Sequence, residues 1–516
     1  MKLLEVNNID LIGNRFNGYD MMEELNKKEF DIKQVVLIKQ SNNKRVIPLL
    51  DTPSKQIIND KLEDIERKQS IKNVLSITSP LLRNTKEYKE ADVIHFHMFH
   101  NCNLSLYALK KMAEEKKVVL SLHDPWFLTG RCVHFYDCMK WKDGCKSCER
   151  LDNLFPMRED NCNDMWNLKK NVMDNLDIDI VVSSPWMRDL TKESQIFQNQ
   201  KNIHLIPFGI DEKKFQTITK KEARKHFNIP EDDVVLFLRA QNEFKGTPYV
   251  LEALKKLNTK QKITVLTCDN KNLLDEVKEK YNIIDLGLIK DDEMIKAMNA
   301  CDIFLMPSIG ESFGMMAIEA MACKKPVVVF NNSALPSVTH APECGYLVKD
   351  KDAEDLRKAI KHLVEDKEDR EKRGKLGYQI IQKEYTNETY NERLEKLYRD
   401  VYKRKSEKKK KEKIEETENA KQFKFFLNDL TIRIYGTKSK EKQALWFDTK
   451  GLKRKKNYRF QFADFALQEV LETYSNELAK CIQDNSNIDN GKKIKIEKLL
   501  YFLRTNPKGI KEILKK

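Results

Sequence analysis

The reading of the chain turns on Met306-Pro-Ser-Ile-Gly-Glu-Ser-Phe-Gly-Met-Met-Ala-Ile-Glu-Ala-Met-Ala-Cys-Lys-Lys-Pro326. Ahead of it, Ile303–Met306 is a short apolar run bounded by Pro307, the pattern of a buried strand. Gly310 and Gly314 mark a loop. From Gly314 the pattern turns helical, with Met316, Ile318, Ala320 and Met321 apolar, until Lys324-Lys325-Pro326 stops it. Val327–Phe330 then reads as another buried strand. Strand, glycine loop, helix, strand is a unit whose helix start offers free backbone N–H groups to a phosphate.

Two carboxylates frame that helix. Glu311 lies in the loop and Glu319 about one and a half turns in, so they reach different parts of a ligand laid across the helix start. A carboxylate there suits paired sugar hydroxyls. Spacing alone leaves two solvated acids on an ordinary helix as the plainer account. The whole string Pro-Ser-x-x-Glu-Ser-Phe-Gly-x-x-x-x-Glu-Ala, however, resembles the donor-site motif of the retaining, nucleotide-sugar-dependent glycosyltransferases of the GT-B fold, family four. The resemblance implies that the amides of Ser312, Phe313, Gly314 and Met315 face the donor's distal phosphate and sugar. It puts Glu311 on the sugar, as a catalytic residue, and Glu319 on the ribose hydroxyls.

Just upstream, Val234–Leu238 reads as a buried strand ending at Arg239, and Lys245-Gly246 precedes a helical run at Pro248–Lys256. Two cations at the mouth of a strand-to-helix loop suit a diphosphate leaving group, whose developing charge they stabilise. The resemblance places Arg239 and Lys245 on the family's phosphate-binding pair. Strands are expected at Ile263–Thr267, Ile283–Gly287 and Asp302–Met306, with Gly287-Leu-Ile289 against the base by analogy. After Phe330 the chain runs Asn331-Asn-Ser-Ala-Leu-Pro-Ser337, without the paired glycines and Pro-Glu usual in the family, which leaves the donor sugar open. Thr386–Tyr402 reads as the helix that crosses back to the first domain.

The first half shows strand patterns at Leu3–Val6, Val35–Ile38, Asp92–Phe96, Val118–Leu122 and Ile180–Ser184, with helices such as Tyr19–Lys28 and Ser105–Glu115 between them. This is a second doubly wound sheet. Its first loop, Gly13 to Gly18, reads on spacing alone as an ordinary turn, while the resemblance makes Gly13 part of a donor-phosphate loop. Histidines gather at strand ends, His95, His97 and His100 on one and His123 on the other, where such sheets bind ligands. A histidine ending a strand is more often simply hydrogen-bonded. His123-Asp-Pro-Trp-x-x-Thr-Gly-x-Cys132 nevertheless resembles a subgroup that builds bacterial surface polysaccharides, which puts His123 in the active cleft as a catalytic residue with Asp124 to fix its ring. Ile203–Asp211 matches the connector between domains, with Phe208 where Asn is frequent, and reads as hinge and register.

Within the same resemblance, Cys132, Cys138, Cys145 and Cys148 follow a C-x5-C-x6-C-x2-C spacing. A structural zinc site of thiolates is one expectation, with His134 as an alternative ligand, and free thiols or a pair of disulfides are the others.

At 516 residues the chain exceeds one core. The expected organisation is an acceptor-side Rossmann-like domain at 1–202 and a donor-binding one at 203–385, together a GT-B α/β architecture. A crossing helix at 386–402, a lysine-rich linker at 403–420 and a basic, mainly helical extension at 421–516 follow. The net charge of +14 sits entirely in 403–516, which holds 30 basic and 16 acidic residues, against 64 of each before it. Within the extension, Phe423–Tyr435 is more apolar, while Phe462–Ile482 and Ile494–Arg504 show helical periods. The segment suits an anionic membrane surface or a partner enzyme, with nucleic acid the least favoured partner and a lysine-inflating genome the plain alternative. No run of about 18 apolar residues is present and the start shows no cleavable signal. The expected location is therefore the cytoplasm, peripheral at the cytoplasmic face of the membrane.

The function implied is retaining transfer of a sugar from a nucleoside-diphosphate sugar to a growing surface or lipid-linked saccharide, with no metal or other cofactor required for catalysis. A nucleotide-sugar 2-epimerase of the same fold and a non-catalytic sugar-nucleotide scaffold are the alternatives.

Overall fold

A computed structural model describes residues 1–404, apart from 153–154, 175, 242 and 271. The linker and extension expected at 403–420 and 421–516 lie outside the described residues from 405 onward.

Thirteen strands among the described residues form two parallel sheets. The first holds β1 Lys2–Ile9, β2 Asp31–Ile38, β3 Val46–Pro48, β4 Val93–Phe96, β5 Lys117–Leu122, β6 Asp179–Val182 and β7 Ile203–Leu205, in the order 3-2-1-4-5-6-7. The second holds β8 Val234–Arg239, β9 Ile263–Cys268, β10 Asn282–Asp285, β11 Ile303–Met306, β12 Val327–Phe330 and β13 Gly345–Val348, in the order 10-9-8-11-12-13. The strands are near-continuous apolar runs because helices cover both faces of each sheet. In each sheet the order reverses once, between β1 and β4 and between β8 and β11. Ligands of such sheets bind at the carboxyl ends flanking that reversal. Residues 10–18 and 97–100 leave the first reversal, and Arg239 and the 307–314 loop leave the second.

The first domain extends one strand further than expected. β7 pairs with β6 through Ile203↔Ile180, so the boundary placed after Asn202 falls beyond Leu205. The chain then crosses to the second lobe beside its own return. Ile210 N–H donates to Tyr385 O at 2.9 Å, and Asn387 N–H to Ile210 O at 2.9 Å. Gly209 has room for no side chain there, because a Cβ would lie 2.5 Å from Thr386 O. The returning helix, Asn387–Lys403, packs on the first lobe, as the crossing-helix reading requires. One apolar cluster runs unbroken from Met21, Met22 and Leu25 through Ile206, Phe208 and Ile210 to Phe313, Ala317 and Ile318.

Candidate active site

The donor-side motif folds as its residues dictate. Gly314 adopts φ +100° as the cap of helix Met315–Ala322, and its last six residues are buried, all of them apolar but Glu319. The amides of Ser312, Phe313, Gly314 and Met315 donate to no atom among the described residues. They are the orphan donors of a helix start, available to an anion. The Phe313 ring itself is core, edge-on to Phe208 at 5.0 Å, so its expected contribution is through backbone alone.

One predicted cation and one predicted acid meet here. Lys245 Nζ lies 2.6 Å from Glu311 Oε1, joining the phosphate residue to the sugar residue across two loops. Arg239, at the end of β8, stands 3.8 Å from Asp269. The two loops are clasped by Ile309 N–H donating to Phe244 O at 2.9 Å. Gly246, at φ +75°, lets Pro307 O approach to where a Cβ would be only 1.9 Å away. Gly287 N–H donates to Asp285 at 3.0 Å, and the Leu288 side chain after it is exposed.

From the first lobe, the Gly13–Gly18 loop is more than a turn. Both glycines have positive φ, +77° and +86°. Between them Arg15 reaches across and forms an ion pair with buried Glu319. Phe16 packs 5.5 Å from both His123 and Phe208. Phe208, expected to serve only as hinge and register, stacks on His123 at 5.5 Å and 21° and closes the floor of the cleft. Ser184 Oγ caps its own helix and donates to Ser312 O at 2.7 Å across the cleft.

His123 thus packs against Phe16 and Phe208, and Asp124 does not hold its ring. Asp124 accepts the Trp126 N–H at 2.8 Å and faces His100 at 3.4 Å. The partner of His123 Nε2 is His97 Nδ1, at 3.1 Å. Behind His97 lie Glu5, His95, Ser121 and Tyr398, nearly all closed off from solvent. Burial pushes His97 down to about 3, and His95 and His123 well below the usual histidine range, so these rings are neutral at physiological pH. Burial raises the Glu5 carboxyl well above its usual range. The turn after His123 is anchored by the buried Lys169 ammonium, which donates to Trp126 O at 2.6 Å and Thr129 O at 2.8 Å.

The cysteine loop serves the cleft differently from the expectation. A tetrahedral thiolate zinc, with Zn–S near 2.3 Å, needs sulfurs about 3.8 Å apart. Cys132, Cys138, Cys145 and Cys148 supply no three sulfurs within 4.8 Å of one another. Cys145 Sγ instead accepts the Gly130 N–H at 3.1 Å, and the neighbouring Cys162 thiol donates to Met157 Sδ at 3.6 Å. The four as placed do not fit the metal. His134, the alternative ligand, crosses to the donor lobe, edge-on to Phe244 at 5.1 Å and filling the space a Cβ on Gly310 would need. Among the described residues the one set of potential ligand atoms within 4.8 Å is Glu5, His95 and His97. All four ring nitrogens of that set are already hydrogen-bonded to neighbouring side chains.

The arrangement is thus a cleft with cations and free amides on one wall and a neutral histidine on the other. Residues 219–380 match the family profile "Glycosyl transferases group 1". The chain is 26% identical over 252 residues to D-inositol 3-phosphate glycosyltransferase of Corynebacterium jeikeium, covering 45% of this chain and 59% of that protein. It is 37% identical over 75 residues, 13% of this chain and 18% of the other, to the putative colanic acid biosynthesis glycosyl transferase WcaC of Escherichia coli. The matched region thus spans about half to three-fifths of the length of the first curated relatives. Among solved structures, Anabaena HepE in complex with UDP-glucose superposes with a TM-score of 0.53 at 15% identity, covering 78% of this chain and all of that one. The fold is GT-B, and residues 219–380 are similar to the glycosyl transferases group 1 family.

Proposed function

We propose that this GT-B chain is a retaining glycosyltransferase that moves a sugar from a nucleoside diphosphate to a growing surface or lipid-linked saccharide. The observation that carries the reading is the meeting of Lys245 with Glu311 beside the four unpaired amides of Ser312–Met315, at the sheet reversal of the second lobe. In this reading the amides and Lys245 hold the distal phosphate, Arg239 supports the diphosphate, and Glu311 orients sugar hydroxyls. Glu319 receives the ribose, with Arg15 as the pairing group that the ribose meets there. The reading is supported by the HepE structure, which is in complex with UDP-glucose, and by the similarity to a putative colanic acid biosynthesis glycosyl transferase.

The transfer needs no protein nucleophile. The bond from the anomeric carbon to the β-phosphate oxygen breaks, and the electron pair leaves with the nucleoside diphosphate. A bond from the acceptor oxygen to the same face of that carbon forms, and the acceptor proton passes to the departing phosphate. Cations fixed around that phosphate stabilise its growing charge with little reorganisation. His123, neutral and held between Phe208 and His97, orients the sugar or acceptor by hydrogen bonding. The excess charge of 403–516 suits the anionic leaflet in which a lipid-linked acceptor sits, at about 1 kcal/mol per basic residue near the surface. Among the described residues no helix is long and apolar enough to cross a membrane.

Thermal stabilisation of the purified chain by UDP-, GDP- or ADP-sugars, followed by acceptor-dependent release of nucleoside diphosphate, tests the proposal. Turnover of the donor without any acceptor would point to an epimerase instead. Absence of stabilisation by all three donor classes would remove the reading. Flotation of the full chain with anionic but not zwitterionic vesicles tests the membrane arm.

A further inference from the structure

The strongest uncommitted feature is the file of buried side chains behind His123. Tyr398, on the helix that returns from the second lobe, has its hydroxyl 3.0 Å from Glu5 Oε1 and 2.7 Å from His95 Nδ1. His95 Nε2 lies 2.8 Å from Ser121 Oγ. Glu5 Oε2 lies 2.7 Å from His97 Nε2, and His97 Nδ1 lies 3.1 Å from His123 Nε2. The His97 and His123 centroids lie 5.3 Å apart with their ring planes 23° apart, a near-coplanar arrangement that suits an N–H···N bond between two imidazoles. Gly18 is pressed onto the Glu5 carboxyl, where a Cβ would stand 2.7 Å from its oxygen.

Donors and acceptors in this file can be counted. The Glu5 side chain is fully buried and its ion-pair contacts among the described residues are only the two histidines. A dry carboxyl with no cation beside it keeps its proton. Tyr398 then donates to Oε1 and accepts from His95 Nδ1–H, and His95 Nε2 accepts from the Ser121 hydroxyl. The Glu5 proton on Oε2 is donated to His97 Nε2. That leaves the His97 proton on Nδ1, donated in turn to His123 Nε2. His123, its Nε2 occupied as an acceptor, carries its own proton on Nδ1. Each step follows from the one before, since a neutral imidazole has one donor and one acceptor.

We propose that Glu5, acting through His97, sets which nitrogen of His123 bears the proton, so that His123 presents Nδ1–H as a hydrogen-bond donor to the ligand in the cleft. Glu5 and His97 are positioning residues, and only His123 touches substrate. An ionised Glu5 would reverse the Glu5–His97 and His97–His123 bonds and turn His123 Nδ1 into an acceptor. The single proton on Glu5 therefore decides whether the cleft offers a donor or an acceptor. The upward push on the Glu5 carboxyl and the downward push on both rings agree with the neutral, donor-presenting state. The significance for catalysis rests on the glycosyltransferase reading, while the tautomer itself does not.

The test is long-range ¹H–¹⁵N correlation on the full chain labelled with ¹⁵N-histidine, with His123 assigned by a His123→Gln control. The expected wild-type spectrum shows His123 neutral with the proton on Nδ1. Glu5→Gln, whose amide N–H also donates to His97, is expected to keep that tautomer, whereas Glu5→Leu moves it to Nε2 or to a mixture. In the transfer assay, kcat for Glu5→Gln is expected at least tenfold above that of Glu5→Leu, with the donor KM of both within about threefold of wild type. A wild-type His123 protonated on Nε2 overturns the proposal, as does a tautomer change in Glu5→Gln. Should Glu5→Leu fail to fold, the wild-type and Glu5→Gln spectra decide alone. Correct tautomers with no sugar transfer would count against the functional reading and leave this inference standing.

Discussion

The two walls of the cleft solve different problems with different electrostatics. On the donor wall, Arg239, Lys245 and Glu311 stand at a partly exposed mouth, paired with one another or with Asp269. On the opposite wall, Glu5 and His97 lie fully buried behind a partly exposed His123, and burial favours the neutral form of all three. A diphosphate needs full opposing charge that can be reached from water, and a hydrogen-bonding histidine needs a defined proton position. The first is served by exposure and the second by burial. The two devices should therefore fail in different ways.

The largest effect is expected on the charged wall. Lys245→Ala or Arg239→Ala should lower kcat/KM by about 10²–10³-fold, roughly 3–4 kcal/mol, by analogy with loss of one preorganised donor to a developing oxyanion. Steady-state kinetics with a saturating acceptor reads this, and an effect below tenfold would break the assignment of the leaving-group site. Gly246→Ala comes next, at about 2–3 kcal/mol of stability by denaturant titration, because its φ of +75° and the Pro307 carbonyl both exclude a side chain.

The neutral wall predicts a pH signature. His95, His97 and His123 have native pKa values below the unfolded value near 6.5, so the unfolded chain binds protons that the native chain refuses. Stability is then fully present above about pH 6.5 and falls as pH drops toward 3, by up to 1.4 kcal/mol per histidine per pH unit. Glu5 acts in the opposite sense. Its raised native pKa makes the unfolded chain the first to lose a proton, so its contribution declines as pH rises above about 4.3. Three histidines outweigh one carboxyl between pH 4.3 and 6.5, and thermal midpoints should fall across that window on acidification. The smallest effect sharpens the contrast. Raising salt from 50 to 500 mM should weaken donor binding severalfold by screening the exposed cations, while leaving the His123 tautomer unchanged.

How much of this was legible depends on whether a feature is contiguous in the chain. The strand–loop–helix at 303–322 could be read because its strand, glycines and carboxylates occur in one run, and Arg239 with Lys245 fit one loop away. Arg15, Phe16, Phe208, Ser184 and His134 could not be assigned to the cleft from local pattern, since each acquires its partner only when the lobes meet. The cysteine spacing suggested a metal that the folded loop does not gather. One signal was available and passed over. Glu5 interrupts the apolar strand Leu3-Leu-Glu-Val6, and a parallel strand covered on both faces has no solvent in which to leave a carboxyl. Such a residue must have buried partners, and His95 sits opposite it on the neighbouring strand, with His97 just past that strand's end.

The paired crossings at Ile210 and Thr386 have a mechanical corollary. Both passages of the chain between lobes lie side by side, so any opening of the cleft pivots about that two-ply joint. Helix Asn387–Lys403 lies beyond the joint and travels with the first lobe. Tyr398, Glu5, His97 and His123 would then ride together as cargo through each swing, while the Arg15–Glu319 and Ser184–Ser312 contacts are made and broken. Under the proposed transfer, one product would be exchanged for the next donor without resetting the buried proton.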